Sequence, residues 1–67
     1  MAITLKAARV NSGLSQEEAA TKIGVSVYTL ANYENGKTFP DVPIIKRIED
    51  VYSVEYKDIF FSVENTV

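Results

Sequence analysis

Two side chains on which much enzyme chemistry depends are missing, because the 67-residue chain contains no cysteine and no histidine. Disulfides and thiol catalysis are thereby excluded. The commonest general base goes with the imidazole, and any ordinary zinc site goes with both. Carboxylates are present, but their spacing places no two in a definable cleft, and no nucleophile–base pair or phosphate-cradling loop is visible. What remains is hydrogen-bonding chemistry in residues 15–37. Ser15 and Glu18 stand three apart, the spacing at which hydroxyl and carboxylate reciprocally satisfy free N–H groups at a helix start. Ser26 precedes another run with helical periodicity and suits the same task. Asn35-Gly36 suits a helix end. The expectation is a binding domain with no cofactor, metal or small-molecule substrate, and not an enzyme.

The elements around these residues are short helices. Thr4 can cap a first helix in which Leu5, Ala8 and the stem of Arg9 share one face, and Gly13 ends it. Leu14 can staple only weakly onto Ala19. The second helix runs from Gln16 to Ile23 with Ala19, Ala20 and Ile23 inward. After Gly24-Val25, a third helix covers residues 27–34. Leu30 and Tyr33 fall on one face of it, and Val27, Tyr28, Ala31 and Asn32 on the other. Asp41 caps a fourth helix, with Pro43 in its first turn and Ile44, Ile45, Ile48, Val51 and Tyr52 along its apolar side. Residues 55–60 read as a short fifth helix, and residues 61–67 as a strand, a packing tail or disorder. The expected fold is all-α, five short helices in one domain over residues 1–67, with a core at 5–60 and a tail at 61–67.

Composition is that of an ordinary globular domain, 46% hydrophobic and 24% charged. A chain of this size buries about 60% of the surface its unfolded form exposes, so its margin of stability is thin. No apolar run approaches the roughly 20 residues needed to cross a bilayer. The first residues lack the regions of a signal peptide, so a cytoplasmic location without membrane contact is expected. The net charge of −2 is unevenly spread. Residues 1–40 carry Lys6, Arg9, Lys22 and Lys37 against Glu17, Glu18 and Glu34. Residues 41–67 carry three cations against six carboxylates. Such asymmetry hints at a functional face on the N-terminal part.

The second and third helices, joined by a short glycine-containing break, follow the helix-turn-helix plan. Each part has a physical reason. Ala20 is small enough for the third helix to approach, Gly24 makes the turn, and Val25 plugs the corner. The third helix must then present one face that could enter a DNA major groove about 12 Å wide.

Here the sequence closely resembles the phage-repressor-like, Cro/CI-type helix-turn-helix family. The matching residues are Arg9, Gly13-Leu14-Ser15-Gln16-Glu17-Glu18, Ala20, Ile23-Gly24-Val25-Ser26, Leu30, Tyr33-Glu34-Asn35-Gly36-Lys37, Pro40 and the close from Val54 to Ile59. The resemblance implies a lambda-repressor-like five-helix domain that binds a double-stranded DNA operator as a homodimer and regulates transcription. By the same resemblance Gln16, Asn35 and Lys37 contact phosphates. Arg9 and Glu34 form an ion pair, with Arg9 also facing the DNA backbone. Base reading falls to Ser26, Val27, Tyr28 and Asn32, where Asn32 could pair with an adenine edge and Val27 with a thymine methyl.

The chain departs from the family's pattern at four places. Ala19 stands where leucine is usual, and the reading face carries Val27, Tyr28 and Ala31 in place of longer polar residues. Ser53 replaces a closing glycine, and Glu55 is a poor helix cap. With no further domain in these residues, pairing of two copies must come from the bundle, with Val54, Tyr56 and Phe61 as interface candidates and Phe60 expected in the core. An alternative keeps the fold without the DNA role, as a protein-interaction module such as an adaptor or antitoxin component. The acidic C-terminal half and apolar third-helix face favour that alternative.

Overall fold

The computed structural model describes residues 2–61. In order these form β1 (Ile3–Thr4), α1 (Leu5–Asn11), α2 (Gln16–Ile23), α3 (Val27–Asn35), α4 (Val42–Tyr52), a 3₁₀ turn (Tyr56–Asp58) and β2 (Ile59–Phe60). Four α-helices thus stand where five were expected. Among the described residues no helix is long and apolar enough to cross a membrane. Of the expected tail at 61–67, residues 62–67 lie outside the described residues.

Each helix starts at a polar side chain that accepts a backbone N–H three residues on. Thr4 accepts from Ala7, Ser26 from Thr29 and Asp41 from Ile44. Ser15 and Glu18 close the full reciprocal box, at 3.0 Å from the Glu18 N–H and 2.9 Å from the Ser15 N–H. Helices this short are marginal alone, so such caps and the packed face together decide whether they form. Three of the four ends turn in the left-handed region. Gly24 closes α2 and Gly36 closes α3, while Ser53 closes α4 at φ 53°.

The fifth-helix expectation fails for reasons visible in its own residues. Glu55 makes no side-chain cap, and the helical stretch lasts only three residues. Glu49 of α4 supplies what Glu55 does not, its carboxylate accepting the Tyr56 N–H at 2.8 Å. β-branched Ile59 then leaves the helical region and pairs in parallel with Ile3, with Phe60 beside Thr4. This ladder ties the two ends of the described chain together. Residues on successive strand positions point to opposite faces, so burying Ile59 turns Phe60 outward. Phe60 is 57% exposed, against the expectation of a core position.

The core is made of Leu5, Ala8, Ala19, Ala20, Ile23, Leu30, Ile48, Tyr52 and Ile59. Ile23, Leu30 and Ile48 are its largest fully enclosed side chains, one each from α2, α3 and α4. The α2 helix packs on both α3 and α4, and its paired alanines present no bulk to hold those helices away. Arg9 is the buried charged residue of this interior.

Candidate nucleic-acid interface

The orientation of α3 follows from what it buries. Leu30 is fully enclosed, and Tyr33, one turn on, packs half-buried against the core. The opposite side must face out, and Tyr28 is 76% and Val27 39% exposed. Ala31 and Asn32 are half-buried on the flank of that face. Of the side chains expected to read bases, Ser26, Val27 and Tyr28 are exposed at the start of α3, while Asn32 lies half-buried further along the helix.

Ser26 differs from the other three. Its oxygen accepts the Thr29 N–H at 3.0 Å, and its own proton goes to Thr29 Oγ1 at 2.9 Å. That hydroxyl is engaged in starting the helix. Its effect on the outer face is to fix the entry direction of α3.

The turn between α2 and α3 is held by a residue the sequence did not single out. Gly24 adopts φ 92°, and the Val25 N–H donates back to the Ala20 carbonyl at 3.0 Å. From α4, the Arg47 guanidinium donates to the Ile23 carbonyl at 3.3 Å. It lies so close that a Cβ on Gly24 would fall 2.8 Å from its Nη1. A cation over the C-terminal carbonyls of α2 also suits the helix dipole. No sequence signal pointed to Arg47, because its partner is a backbone carbonyl 24 residues away.

A second network fixes α1, α2 and α3 to one another. The Arg9 Nε donates to Glu34 Oε2 at 2.7 Å, and a second guanidinium nitrogen donates to the Leu14 carbonyl at 2.9 Å. The Gln16 Nε2 donates to Glu34 Oε1 at 3.0 Å. Both charged side chains are at least nine-tenths enclosed. The structural pairing of Arg9 with Glu34 is thus present, and it leaves Arg9 little surface for a phosphate. Gln16 remains half-exposed at the first turn of α2, beside N–H groups and a dipole that favour an anion.

Just beyond α3, Asn35 and Lys37 are exposed on a turn closed by left-handed Gly36. The Lys37 N–H donates to the Asn32 carbonyl at 2.9 Å, which fixes the backbone, and the lysine itself is exposed. Gln16, through its hydrogen bond to Glu34, lies beside the C-terminal end of α3, where the 35–37 turn begins.

Three groups have shifted acidities. Hydrogen bonds from the Ser15 backbone and hydroxyl hold the Glu18 carboxyl below its usual range. Burial raises the Tyr33 phenol, with Asp41 adding to it. Tyr52 is pushed up to about 12, chiefly by burial, with Glu34 raising it further and Arg9 opposing. Its hydroxyl is buried without a hydrogen-bond partner. Among the described residues no cluster of acidic side chains could hold a metal.

The interface candidates for pairing divide. Val54 is half-buried and packs against the core. Tyr56 is 45% exposed, and Phe61 bridges it to Phe39, with ring centroids 5.7 Å and 4.6 Å away. Phe39 and Val42, both exposed, extend this surface and were not anticipated.

The helix-turn-helix family profile matches residues 5–59. A transcriptional regulator of Methanocaldococcus jannaschii of that type is 38% identical over 56 residues, 84% of this chain and 85% of the relative. One from Archaeoglobus fulgidus is 35% identical over 52 residues, 78% of this chain and 74% of its own. The HTH-type transcriptional regulator ImmR of Bacillus subtilis is 36% identical over 50 residues, 75% of this chain. The chain spans only 39% of the length of ImmR. No solved structure matches. The matched span takes in every helix, the capped turn at Gly24 and the Arg9–Glu34 pair, and the chain belongs to the Cro/CI-type helix-turn-helix family, a family of transcriptional regulators.

Proposed function

We propose that the chain binds double-stranded DNA and regulates transcription, as a homodimer on a palindromic operator with α3 in the major groove. The observation that carries this reading is the exposed outer face of α3, held rigidly by a buried Leu30 on one side and an Arg47-braced turn at its start. An α-helix fits the width of that groove, and its N-terminal residues reach base edges first. Val27 supplies a methyl surface for thymine, Tyr28 the longest reach, and Asn32 the amide that can grip an adenine edge. Each good contact discriminates by about 1–3 kcal/mol. Gln16, Asn35 and Lys37 hold phosphates and set register without reading sequence. Few cations face the DNA, so affinity falls only modestly with salt.

A protein-interaction module of the same fold is the second reading, favoured by the apolar character of Val27 and Tyr28. Selection of duplexes from a random library, at two salt concentrations, separates the two. Enrichment of a palindrome with half-sites about one helical turn apart supports the operator reading. Binding without an enriched motif removes Val27, Tyr28 and Asn32 as readers. No binding at low salt leaves the interaction module.

A further inference from the structure

Of the asparagines in the chain, Asn11, Asn32, Asn35 and Asn65, only Asn35 is followed by glycine. It is exposed and is the last residue of α3. The side-chain carbonyl carbon of an asparagine is open to attack by the backbone nitrogen of the next residue. Glycine, with no side chain, leaves that nitrogen least shielded. The other asparagines are placed differently. Asn32 is half-buried within α3, and Asn65 lies outside the described residues. Asn11 is followed by Ser12, whose N–H is held at 3.1 Å by both the Ala8 and the Arg9 carbonyl.

The hydrogen bonds that end α3 hold the Gly36 nitrogen loosely. Its N–H donates to the Tyr33 carbonyl at 3.3 Å and shares the Asn32 carbonyl. That second oxygen also accepts from Lys37 at 2.9 Å and from Thr38 at 3.5 Å. Three donors thus compete for one acceptor that has two lone pairs. Helix ends are among the parts of a fold that open most readily, and glycine recovers more backbone freedom on opening than any other residue. Opening of this last turn lets the Asn35 side chain and the Gly36 nitrogen meet.

We propose that Asn35-Gly36 is a self-modification site, at which the unbound chain converts Asn35 to aspartate and isoaspartate, and that the conversion withdraws it from DNA. The Gly36 nitrogen gives up its proton and bonds to Asn35 Cγ. The side-chain nitrogen takes up a proton through water and leaves as ammonia. A second water then opens the cyclic imide at either of its carbonyls, and the Gly36 nitrogen regains a proton. One opening yields aspartate. The other yields isoaspartate, in which the backbone runs through the former side chain. Water is the one co-reactant, and no enzyme, oxidant or reductant takes part.

The withdrawal rests on the DNA reading above and adds a way of regulating it. Either product places a new carboxylate at the C-terminal end of α3, where the helix dipole disfavours negative charge. That end also carries Lys37 and lies beside Gln16, which bonds to the neighbouring Glu34. A carboxylate there repels the phosphate that these residues are proposed to hold. Isoaspartate in addition lengthens the backbone at the turn that left-handed Gly36 closes. A duplex seated on the 35–37 turn favours its closed form, so bound chains are spared while unbound chains age.

The test is incubation of the full chain at mildly alkaline pH, with and without excess random-sequence duplex at low salt. Peptide mass spectrometry and an isoaspartate assay follow each asparagine, and the acidic product is separated by ion exchange for duplex binding. The expected result is conversion about tenfold faster at Asn35 than at Asn11, slowed by duplex. The product should bind every duplex about tenfold more weakly than fresh protein. Conversion at Asn35 no faster than at Asn11 overturns the site. Conversion that duplex does not slow overturns the sparing of bound chains. A product that binds as tightly as fresh protein overturns the withdrawal while keeping the DNA reading. Fresh protein that binds no duplex overturns the DNA reading and the withdrawal together, and the comparison of Asn35 with Asn11 still decides the site. Asn35→Gln, whose longer side chain closes a less favourable ring, should hold its own starting affinity throughout. A time-dependent loss in that variant would assign the ageing to another residue.

Discussion

Gln16 and Glu34, eighteen residues apart, are joined by a 3.0 Å hydrogen bond in which the Gln16 amide donates to the same carboxylate that holds Arg9. One acidic side chain therefore sets the position of a proposed phosphate contact and of the buried cation that ties α1 to α3. Because Glu34 fills both roles, its loss and the loss of Gln16 have different consequences.

Glu34→Gln leaves Arg9 buried without its counter-charge. Breaking one partner of a buried pair costs about 3–5 kcal/mol, which is most of the stability of a domain this small. Urea denaturation of Glu34→Gln should show loss of cooperative folding or a large fall in midpoint. Gln16→Ala removes one half-exposed hydrogen bond, worth roughly 0.5–1.5 kcal/mol, and remains folded. Its DNA affinity should fall alike on every sequence, because a phosphate contact carries no base information. Sequence-dependent loss would show that Gln16 reads bases.

The turn at Gly24 can be tested by a double-mutant cycle. Gly24→Ala places a methyl in the left-handed region, costing about 1–2 kcal/mol, and presses on Arg47 Nη1. Arg47→Ala removes the hydrogen bond to Ile23. The double variant should be more stable than the sum of the two losses predicts, because the steric part vanishes with the guanidinium. Strict additivity in denaturation midpoints would mean that Arg47 does not brace the turn.

At Ser53 the sequence and the structure agree about a weakness. By the family resemblance Ser53 stands where glycine is usual, and here it takes the left-handed φ 53° and ψ 47° that suit glycine. Ser53→Gly relieves the left-handed penalty and should raise stability by about 0.5–1 kcal/mol, read as a higher melting temperature. No gain would mean that the serine side chain compensates locally.

The same contrast explains what was legible in the sequence. Caps and turns depend on residues within three or four positions of each other, so Thr4, Ser15, Ser26, Asp41 and the glycine stops located α1 to α4 nearly to the residue. The strand pair was hidden because Ile3 and Ile59 meet 56 residues apart, and two-residue strands have no periodicity to read. Arg47 was hidden for the same reason. The outward face of α3 was visible from its 3.6-residue spacing. The cap role of Ser26 was legible as well; what periodicity does not describe is that its proton goes to the Thr29 hydroxyl, which takes up the rest of the group.

Tyr52 provides the last test, and it has a pH signature. Its hydroxyl is buried with no partner, so it contributes desolvation cost without a compensating bond. Tyr52→Phe keeps the ring in the core and should leave stability equal or up to about 1 kcal/mol higher. The phenol is pushed up to about 12 in the folded chain, against 10 for the free group. Between those values the folded state holds a proton that the unfolded state has lost. This contribution to stability is therefore complete below pH 10 and disappears as pH rises through 12. Thermal melts from pH 9 to 12 should show a falling midpoint in the wild type and a shallower fall in Tyr52→Phe. The slope left in the variant is smaller and reflects Tyr33, whose phenol burial also raises. Parallel curves for the two proteins would show that the Tyr52 phenol is not raised in the folded chain.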